Sequence, residues 1–526
     1  MMKKHYLLKK RMKGQIVWEV LQPLMLGGIM RYFTYKMKEE YGSLDQIDEN
    51  SIFLVLLMPL FICTFVPNVS AIGMRFLIQS LIEDKQNKMR ETLRMMSLTQ
   101  FSYALSFFLL QGFFCLITGL VMGLCSFNDE ILFYGDPVNK SIYYTITLML
   151  LFLSQVPFSM TLSAFFNDSK VGSQVGGIIL VVPVLIFLQY VLNNDPTIYY
   201  FYWIPSVPAL QILVSLVTPA FIKQNELLKK FVALNTDYLS IEFSVCALIF
   251  DIFLWFFLYL YLDSVIPSEY GIQKHPLFCL RGRRSSREPA PSNQNAYDKA
   301  VLNEDDPIKF KGLTKKFGEF TAVNNLSFSI KQGEVFTILG HNGAGKTTAI
   351  YMLTGVHKPT GGDAVVYGSS IRTNMDAVQR NLGLCQQFDV LYDNLTVREH
   401  LNLICDLKNM PSSQVESTID ETLRVVMLTE HQYKLINQLS GGMKRKLSLA
   451  MAIVTRPLVI ILDEPTSGLD VESRRQVWEL IKRIKVGRSI IMSSQHLEEA
   501  DELADRILIM SRGQLLSLDK PEMIKQ

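Results

Sequence analysis

Apolar residues are concentrated in one half of this 526-residue chain, between about residues 15 and 262. Within that half, six segments reach the roughly 20 apolar residues that a helix needs to cross a bilayer core. They cover residues 17–36, 52–80, 101–127, 142–165, 171–192 and 241–264. The sequence therefore predicts an α-helical six-span transmembrane domain over residues 17–265.

The segments on either side of this domain differ from it in composition. Residues 1–16 are rich in Lys and precede any long apolar run, which predicts an amphipathic N-terminal helix on the cytosolic side. Residues 266–306 change abruptly to Arg, Ser, Pro, Asn and Asp, which is the composition of a solvated linker.

The charges between the spans predict their orientation. The loop after the first span is acidic, whereas the loop after the second carries Lys85, Lys88, Arg90 and Arg94. Because cytoplasmic loops are enriched in Lys and Arg, the second loop and the N-terminus are expected in the cytosol. Six crossings then place the C-terminal half in the cytosol too. The chain is thus predicted to be a multi-pass membrane protein, and the sequence leaves open which membrane holds it.

Two features of the membrane half suggest a function. Residues 83–100 continue the second span with helical periodicity and many charges, which predicts a coupling helix in the cytosol; a solvated helix end would show the same pattern. Asp251 lies inside the sixth span, where an unpaired carboxylate costs a few kcal/mol. It is a candidate functional residue, although a contact with a neighbouring helix or a lipid headgroup would also explain it.

Bulk composition argues against two kinds of site. The net charge of +3 is close to neutral and gives no support for nucleic-acid binding. The seven cysteines are scattered, mostly inside apolar segments, so neither a disulfide framework nor a cysteine metal site is expected.

Residues 307–526 alternate between strand and helix patterns, which predicts an α/β domain of the P-loop NTPase type. A strand over residues 334–339 leads into a glycine-rich loop, and a helix starts near Lys346. Backbone N–H groups of such a loop point at phosphates, the lysine reaches the β- and γ-phosphates, and the Thr347 hydroxyl ligates Mg²⁺. The predicted nucleotide-binding residues here are Gly340, His341, Asn342, Gly343, Ala344, Gly345, Lys346, Thr347 and Thr348.

A second buried strand, over residues 459–462, ends in the acidic pair Asp463 and Glu464. Asp463 is placed to hold Mg²⁺, and Glu464 to polarise an attacking water as the catalytic base. The pattern therefore adds a hydrolytic centre to the phosphate-binding loop.

The order of these motifs resembles an ATP-binding cassette (ABC) domain with its helical subdomain. The resemblance rests on Phe317, the glycine loop, Gln387, the run Leu439-Ser440-Gly441-Gly442-Met443, the acidic pair and the loop ending at Asp470. It implies that ATP and Mg²⁺ are the cofactors, that Phe317 stacks on adenine and that Gln387 senses the γ-phosphate and the metal. It also implies that Ser440, Gly441 and Gly442, next to Leu439, bind ATP held by a second cassette, so two cassettes close around two ATPs.

Further stretches resemble subfamily A of the ABC transporters. They are residues 265–271, 381–389, 395–400 and 473–480. The resemblance implies an ATP-driven half-size transporter, with one membrane domain and one cassette, that exports or flips a lipid or other amphipathic substrate as a homodimer or heterodimer. Two departures stand out: Gln386 replaces the family's usual Pro, and a short acidic loop stands where the family usually has a large extracellular domain.

The switch position of the cassette departs from the family as well. Aligning Glu498–Asp501 with the family pattern places Gln495 at the catalytic switch, and His496 at the second position of a frequent His pair. A glutamine amide can donate a hydrogen bond but cannot carry charge or relay a proton. We therefore hypothesise slow hydrolysis; in the rival interpretation His496 shifts by one residue and acts instead. The alternative function is an ATP-gated regulatory or channel-like membrane protein with weak hydrolysis.

Overall fold

The computed structural model describes residues 21–25, 28–29, 31–32, 35–36, 73–96, 98–127, 137–193, 201–217, 241–266, 303 and 305–525. They belong to two compact units. The membrane unit holds the described residues of Met2–Gln86 and Gln100–Pro267, and the cassette unit holds those of Asn87–Thr99 and Ser268–Gln526. The predicted N-terminal helix and nearly all of the predicted linker lie outside the described residues.

The first half of the chain is helical wherever the structure gives bounds for an element. Residues 73–86 form one helix. The further helices are α1 (Met89–Met95), α2 (Gln100–Cys125), α3 (Pro137–Ala164), α4 (Ser169–Asn193), α5 (Ser206–Val217) and α6 (Ile241–Val265).

Three helices of the described residues are long and apolar enough to cross a membrane. They cover Gln100–Cys125, Val138–Ala164 and Glu242–Val265, and correspond to the third, fourth and sixth predicted spans. The fifth predicted span is helical as α4, and the end of the second lies in the helix over 73–86. Most of the first two spans lies outside the described residues, so six crossings stay a prediction.

Helix α6 separates an apolar outer face from a buried face with helical spacing. Phe250, Phe253 and Phe257 are each more than half exposed, whereas Asp251 and Trp255 are buried. The Trp255 carbonyl accepts a hydrogen bond from Thr161 Oγ1 of α3 at 2.9 Å. Asp251 is 1% exposed, and its Oδ2 has no hydrogen-bond partner among the residues that the structure describes. The exposed phenylalanines are the face that suits lipid.

Within residues 83–100, the segment predicted as a coupling helix, one helix ends and another begins. The helix over 73–86 ends at a turn. There Lys88 has a φ of +55°, a left-handed backbone conformation that residues other than glycine rarely adopt. Helix α1 follows and belongs to the cassette unit. Met95 and Met96 at its end are buried in the two apolar clusters of that unit.

The cassette unit contains two β-sheets. One is antiparallel, in the order β2-β1-β4-β5, with β1 (Ile308–Phe317), β2 (Phe320–Ile330), β4 (Gly361–Val366) and β5 (Ser369–Ser370). The other, in the order β10-β9-β3-β8-β7-β6, contains β3 (Val335–Leu339), β6 (Leu382–Cys385), β7 (Val459–Asp463), β8 (Ser489–Ser494), β9 (Arg506–Ser511) and β10 (Gln514–Asp519). Only β10, at its edge, runs antiparallel to its neighbour.

Helices cover the larger sheet, and the inner strand β7, between β8 and β6, is buried along its whole length. Strands of a parallel sheet covered on both faces read as continuous apolar runs, which is why β7 was visible in the sequence. The helices are α7 (Lys346–Leu353), α8 (Met375–Asn381), α9 (Val397–Leu407), α10 (Ser412–Val425), α11 (Gly441–Ile453), α12 (Val471–Ile484), α13 (Leu497–Leu503) and α14 (Pro521–Ile524), with 3₁₀ turns at Thr429–His431 and Ile436–Gln438. The predicted α/β P-loop fold is confirmed.

Candidate nucleotide-binding site

The glycine-rich loop joins β3 to α7 in a conformation that only glycine allows. Gly345 has a φ of +104°, and a Cβ there would lie 2.5 Å from the Ala322 carbonyl oxygen. Lys346 at the start of α7 is 4% exposed and donates to the carbonyls of Gly340 at 2.7 Å and His341 at 3.2 Å. The loop therefore surrounds a cation at a helix N-terminus, which is a phosphate-binding arrangement.

The buried lysine also faces the acidic pair. Lys346 Nζ lies 4.0 Å from Glu464 Oε1. Burial lowers the pKa of Lys346, and the carboxylates of Glu464 and Asp463 oppose that shift. The structure thus brings together the lysine of one predicted motif and the carboxylates of another.

Asp463, at the end of β7, has an oxygen that suits a metal ion. Its Oδ1 accepts from Ser493 Oγ at 2.6 Å and from Thr347 Oγ1 at 3.4 Å. Its Oδ2 is buried without a hydrogen-bond partner among the described residues. Burial raises the pKa of Asp463, and the Ser493 hydrogen bond opposes this. Because Mg²⁺ prefers carboxylate and hydroxyl oxygens, the side chains of Asp463 and Thr347 fit the ion.

Glu464 receives two side-chain amides. Gln387 Nε2 donates to its Oε2 at 2.9 Å, and Gln495 Nε2 donates to its Oε1 at 2.5 Å. The backbone N–H of Glu464 donates to Ser493 Oγ at 3.0 Å, and its φ of +43° is left-handed. Residues held in such a conformation cluster at functional sites. The metal contact predicted for Gln387 stays a prediction, since its amide nitrogen faces Glu464.

His496 takes a different place from Gln495. Its backbone N–H donates to Ser494 Oγ at 3.1 Å, and the residue stands immediately before α13 with an exposed side chain. Of the two residues considered for the switch, the structure therefore places Gln495 against the carboxylate.

Phe317 ends β1 and is 43% exposed. Lys315 Nζ lies 4.9 Å from the centre of its ring, and His357 meets the ring edge-on at 5.2 Å between centroids. Burial lowers the pKa of His357, and the charge of Lys315 adds to this. An exposed aromatic ring held by two neighbours can stack on a purine base.

The run from Leu439 to Gly442 stands at the start of α11. Ser440 Oγ accepts from the Met443 N–H at 3.3 Å and caps the helix, while Leu439 is buried beneath it. Ser440 and Gly441 are exposed. An exposed, glycine-rich helix N-terminus presents unpaired N–H groups and a positive dipole end to an anion.

Asp470 caps the next helix, α12. Its Oδ2 accepts from the Ser473 N–H at 3.0 Å, and the hydrogen bonds from Ser473 lower its pKa. A Cβ on Gly442 would lie 2.8 Å from Ser473 Oγ, so the first turns of α11 and α12 are in close contact. The nucleotide contact predicted for Asp470 stays a prediction.

Arg445 is a candidate functional residue that the sequence analysis missed. It lies on α11, is 2% exposed and has Asp389 Oδ1 as a counter-ion at 3.2 Å. Its guanidinium donates to the backbone carbonyls of Gln386 at 2.6 Å, Gln387 at 3.2 Å, Asp463 at 3.3 Å, Glu464 at 3.1 Å and Pro465 at 2.6 Å. A sequence signal existed: Arg445 shares helical spacing with Leu449 and Ala452, which are both buried.

Each of the two units matches the model of a known protein family. A model described as "ABC transporter" matches residues 323–467, and one described as "ABC-2 family transporter protein" matches residues 17–261. Among solved structures, cbiO1 from Clostridium perfringens, part of an ABC transporter complex, is 25% identical with a TM-score of 0.40, covering 42% of this chain and 91% of that one.

Curated relatives align along most of this chain. ABC transporter A family member 7 of Dictyostelium discoideum is 31% identical over 88% of this chain and 60% of its own length. Phospholipid-transporting ATPase ABCA7 of Homo sapiens is 32% identical over 85% and 22%. Glucosylceramide transporter ABCA12 of Mus musculus is 29% identical over 85% and 19%. The chain therefore spans between about a fifth and three fifths of the length of these relatives.

Proposed function

Because this chain belongs to the ABC transporters, with an ABC-2 membrane domain followed by an ATP-binding cassette, we propose that it is an ATP-driven transporter of subfamily A type. The single observation that carries the ATPase proposal is the convergence on Glu464. Gln387 and Gln495 donate to its two oxygens, and Lys346 lies 4.0 Å away. This arrangement supports hydrolysis rather than nucleotide binding alone.

The residues of this site divide the work of hydrolysis. The N–H groups of the loop and the Lys346 ammonium bind the phosphates, and the ring of Phe317 stacks on the adenine of ATP. Thr347 and Asp463 would hold Mg²⁺, which when bound would supply positive charge for the phosphate oxygens. The two glutamine amides orient the Glu464 carboxylate, which accepts a proton from the attacking water.

The site is completed, in this proposal, by a second cassette. Ser440 and Gly441 are exposed at a helix N-terminus that is suited to the γ-phosphate of ATP held by another subunit. Two cassettes would then close face to face around two nucleotides, as a homodimer or a heterodimer. Closure on ATP and reopening after hydrolysis would drive the membrane unit.

The proposed substrate is a lipid or another amphipathic molecule. The relatives named for glucosylceramide and phospholipid transport support it.

The test is reconstitution of the full chain in vesicles that contain fluorescent phospholipid or glucosylceramide. We expect Mg-ATP to be hydrolysed and label to change leaflet, and both to be lost in Glu464→Gln. Hydrolysis without movement of either lipid would contradict transport of phospholipid and glucosylceramide. Loss of neither activity in Glu464→Gln would contradict the proposed base.

One observation favours the second candidate, an ATP-gated regulatory or channel-like protein. The position beside Glu464 holds an uncharged amide, Gln495, rather than an imidazole. Steady-state turnover decides between the two: tight Mg-ATP binding with almost no turnover, in the presence of lipid, would support the gated protein.

A further inference from the structure

Gln386 and Gln387 are neighbours whose side chains bind different elements of the cassette unit. Gln386 Nε2 donates to Thr92 Oγ1 of α1 at 3.2 Å and lies 3.6 Å from Met95 Sδ. Gln387 Nε2 donates to Glu464 Oε2 at 2.9 Å. The residue that contacts α1 and the residue that contacts the proposed catalytic carboxylate are therefore joined by a single peptide unit.

Arg445 holds that peptide unit from α11. Its Nη1 donates to the carbonyls of both glutamines, at 2.6 and 3.2 Å. Its Nη2 and Nε donate to three successive carbonyls at the end of β7, those of residues 463–465. One side chain thus joins the backbone on both sides of the hydrogen bond between Gln387 and Glu464.

The arrangement uses the guanidinium group fully. Arginine has five N–H donors in a rigid plane, whereas lysine has three on a single nitrogen and cannot span two segments in the same way. Arg445 is 2% exposed, so a donor that lost its carbonyl would have no water to replace it. The two segments are therefore held to one position relative to each other.

Backbone packing ties the helix to the same strand. A Cβ on Gly383 of β6 would lie only 1.9 Å from the carbonyl oxygen of Ala452 on α11. Strand β6 leads directly into Gln386, so α11 touches this part of the chain at two places, through Gly383 and through Arg445. A movement of α11 must displace Gln386 and Gln387 with it.

We propose that Arg445 is a positioning residue that makes the place of α1 against Gln386 determine the place of the Glu464 carboxylate. The inference rests on the proposed ATPase function of this site and adds a link within one cassette between α11, α1 and the base. A shift of α1 would move Gln386, and the guanidinium group of Arg445 would transmit that shift to the residues on either side of Glu464.

Hydrogen–deuterium exchange of the full chain tests the link without hydrolysis. In Arg445→Met we expect about tenfold faster exchange in residues 384–390, 462–467 and 89–96. The reason is that loss of the guanidinium group removes the hydrogen bonds that hold the first two segments together, and Gln386 of the first segment contacts α1. Lys444→Met, which removes the preceding cation on the same helix, is the matched control and should leave these rates unchanged. Faster exchange confined to α11 would overturn the proposal.

Kinetics then separate positioning from simple loss of structure. We expect kcat for ATP in Arg445→Met to fall about 100-fold while KM changes about twofold or less, since misplacement of a catalytic group affects the chemical step. Arg445→Lys keeps the charge and should recover only part of kcat. If the Met variant does not fold, the Lys variant takes its place in the comparison with the wild type. A rise in KM with an unchanged kcat would contradict the inference.

The outcomes for the two proposals differ. If the wild-type chain hydrolyses ATP through Glu464 but Arg445→Met matches it in kcat and in exchange, only the inference fails. If the wild-type chain does not hydrolyse ATP, the proposed function fails, and the exchange rates of α1 still decide whether Arg445 links the segments.

Discussion

The side-chain amide of Gln495 donates to Oε1 of Glu464 at 2.5 Å, across 31 residues of sequence. The two residues follow adjacent parallel strands, β8 and β7, in which Ser493 stands opposite Asp463. An amide at this place can orient the carboxylate but cannot accept or release a proton at neutral pH. This contact is the basis of our hypothesis that turnover is slower than it would be with a histidine at this position.

Gln495→His is predicted to raise the rate of hydrolysis about tenfold or more, because an imidazole can carry charge and transfer a proton. Single-turnover ATPase measurements check this. His496→Ala is the companion variant and should stay near the wild-type rate; a loss of activity confined to His496→Ala would favour the shifted histidine instead.

Asp463→Asn is predicted to lower the apparent affinity for Mg²⁺ at least about tenfold, because it removes a negative charge beside Thr347. Calorimetric titration of Mg²⁺ into the ATP-bound protein measures the change. Glu464→Gln provides the matched comparison and should bind the ion nearly as well as the wild type. Equal loss in both variants would mean that the buried Asp463 oxygen is not the metal site.

Phe317→Ala is predicted to raise KM for ATP by about 10- to 100-fold with little change in kcat, since stacking of a base on an aromatic ring is worth about 1–3 kcal/mol. Phe317→Tyr keeps the ring and should behave like the wild type. A KM for ATP that is unchanged in Phe317→Ala would place the base elsewhere.

Glu464→Gln is predicted to form a long-lived dimer in Mg-ATP, because the proposed site binds nucleotide between two cassettes and this variant does not consume it. Light scattering of the detergent-solubilised protein measures the mass. Adding Gly441→Arg, which places a bulky side chain at the start of α11, should restore the monomer. A wild-type protein that stays monomeric with bound Mg-ATP and hydrolyses it at full speed would refute the two-cassette site.

Gly383→Ala is predicted to destabilise the cassette by about 1–3 kcal/mol, because its methyl group would overlap the Ala452 carbonyl oxygen. Thermal unfolding of the full chain measures the loss as a lower Tm. At Gly361 an added Cβ would meet Thr314 Cβ at 3.5 Å, an ordinary contact, so Gly361→Ala is the control and should change Tm little.

Features that depend on short stretches of chain were predictable from the sequence. The glycine loop, the buried strand ending at Asp463 and Glu464, and the apolar segments that form α2, α3 and α6 each carry their signal within about 5 to 20 consecutive residues. Local geometry decides such features: a left-handed turn requires glycine, and a strand buried on both faces requires a continuous apolar run.

Contacts between distant segments were decided by the tertiary structure alone. The amide of Gln495 meets Glu464 because parallel strands end at one edge of the sheet, and Arg445 finds carbonyls in two segments because α11 packs against β6. Helix α1 continues the second apolar span in sequence, yet it packs within the cassette unit. Sequence periodicity identifies which face of an element is buried, whereas the partner of a hydrogen-bond donor is determined only when the backbones of both segments are in place.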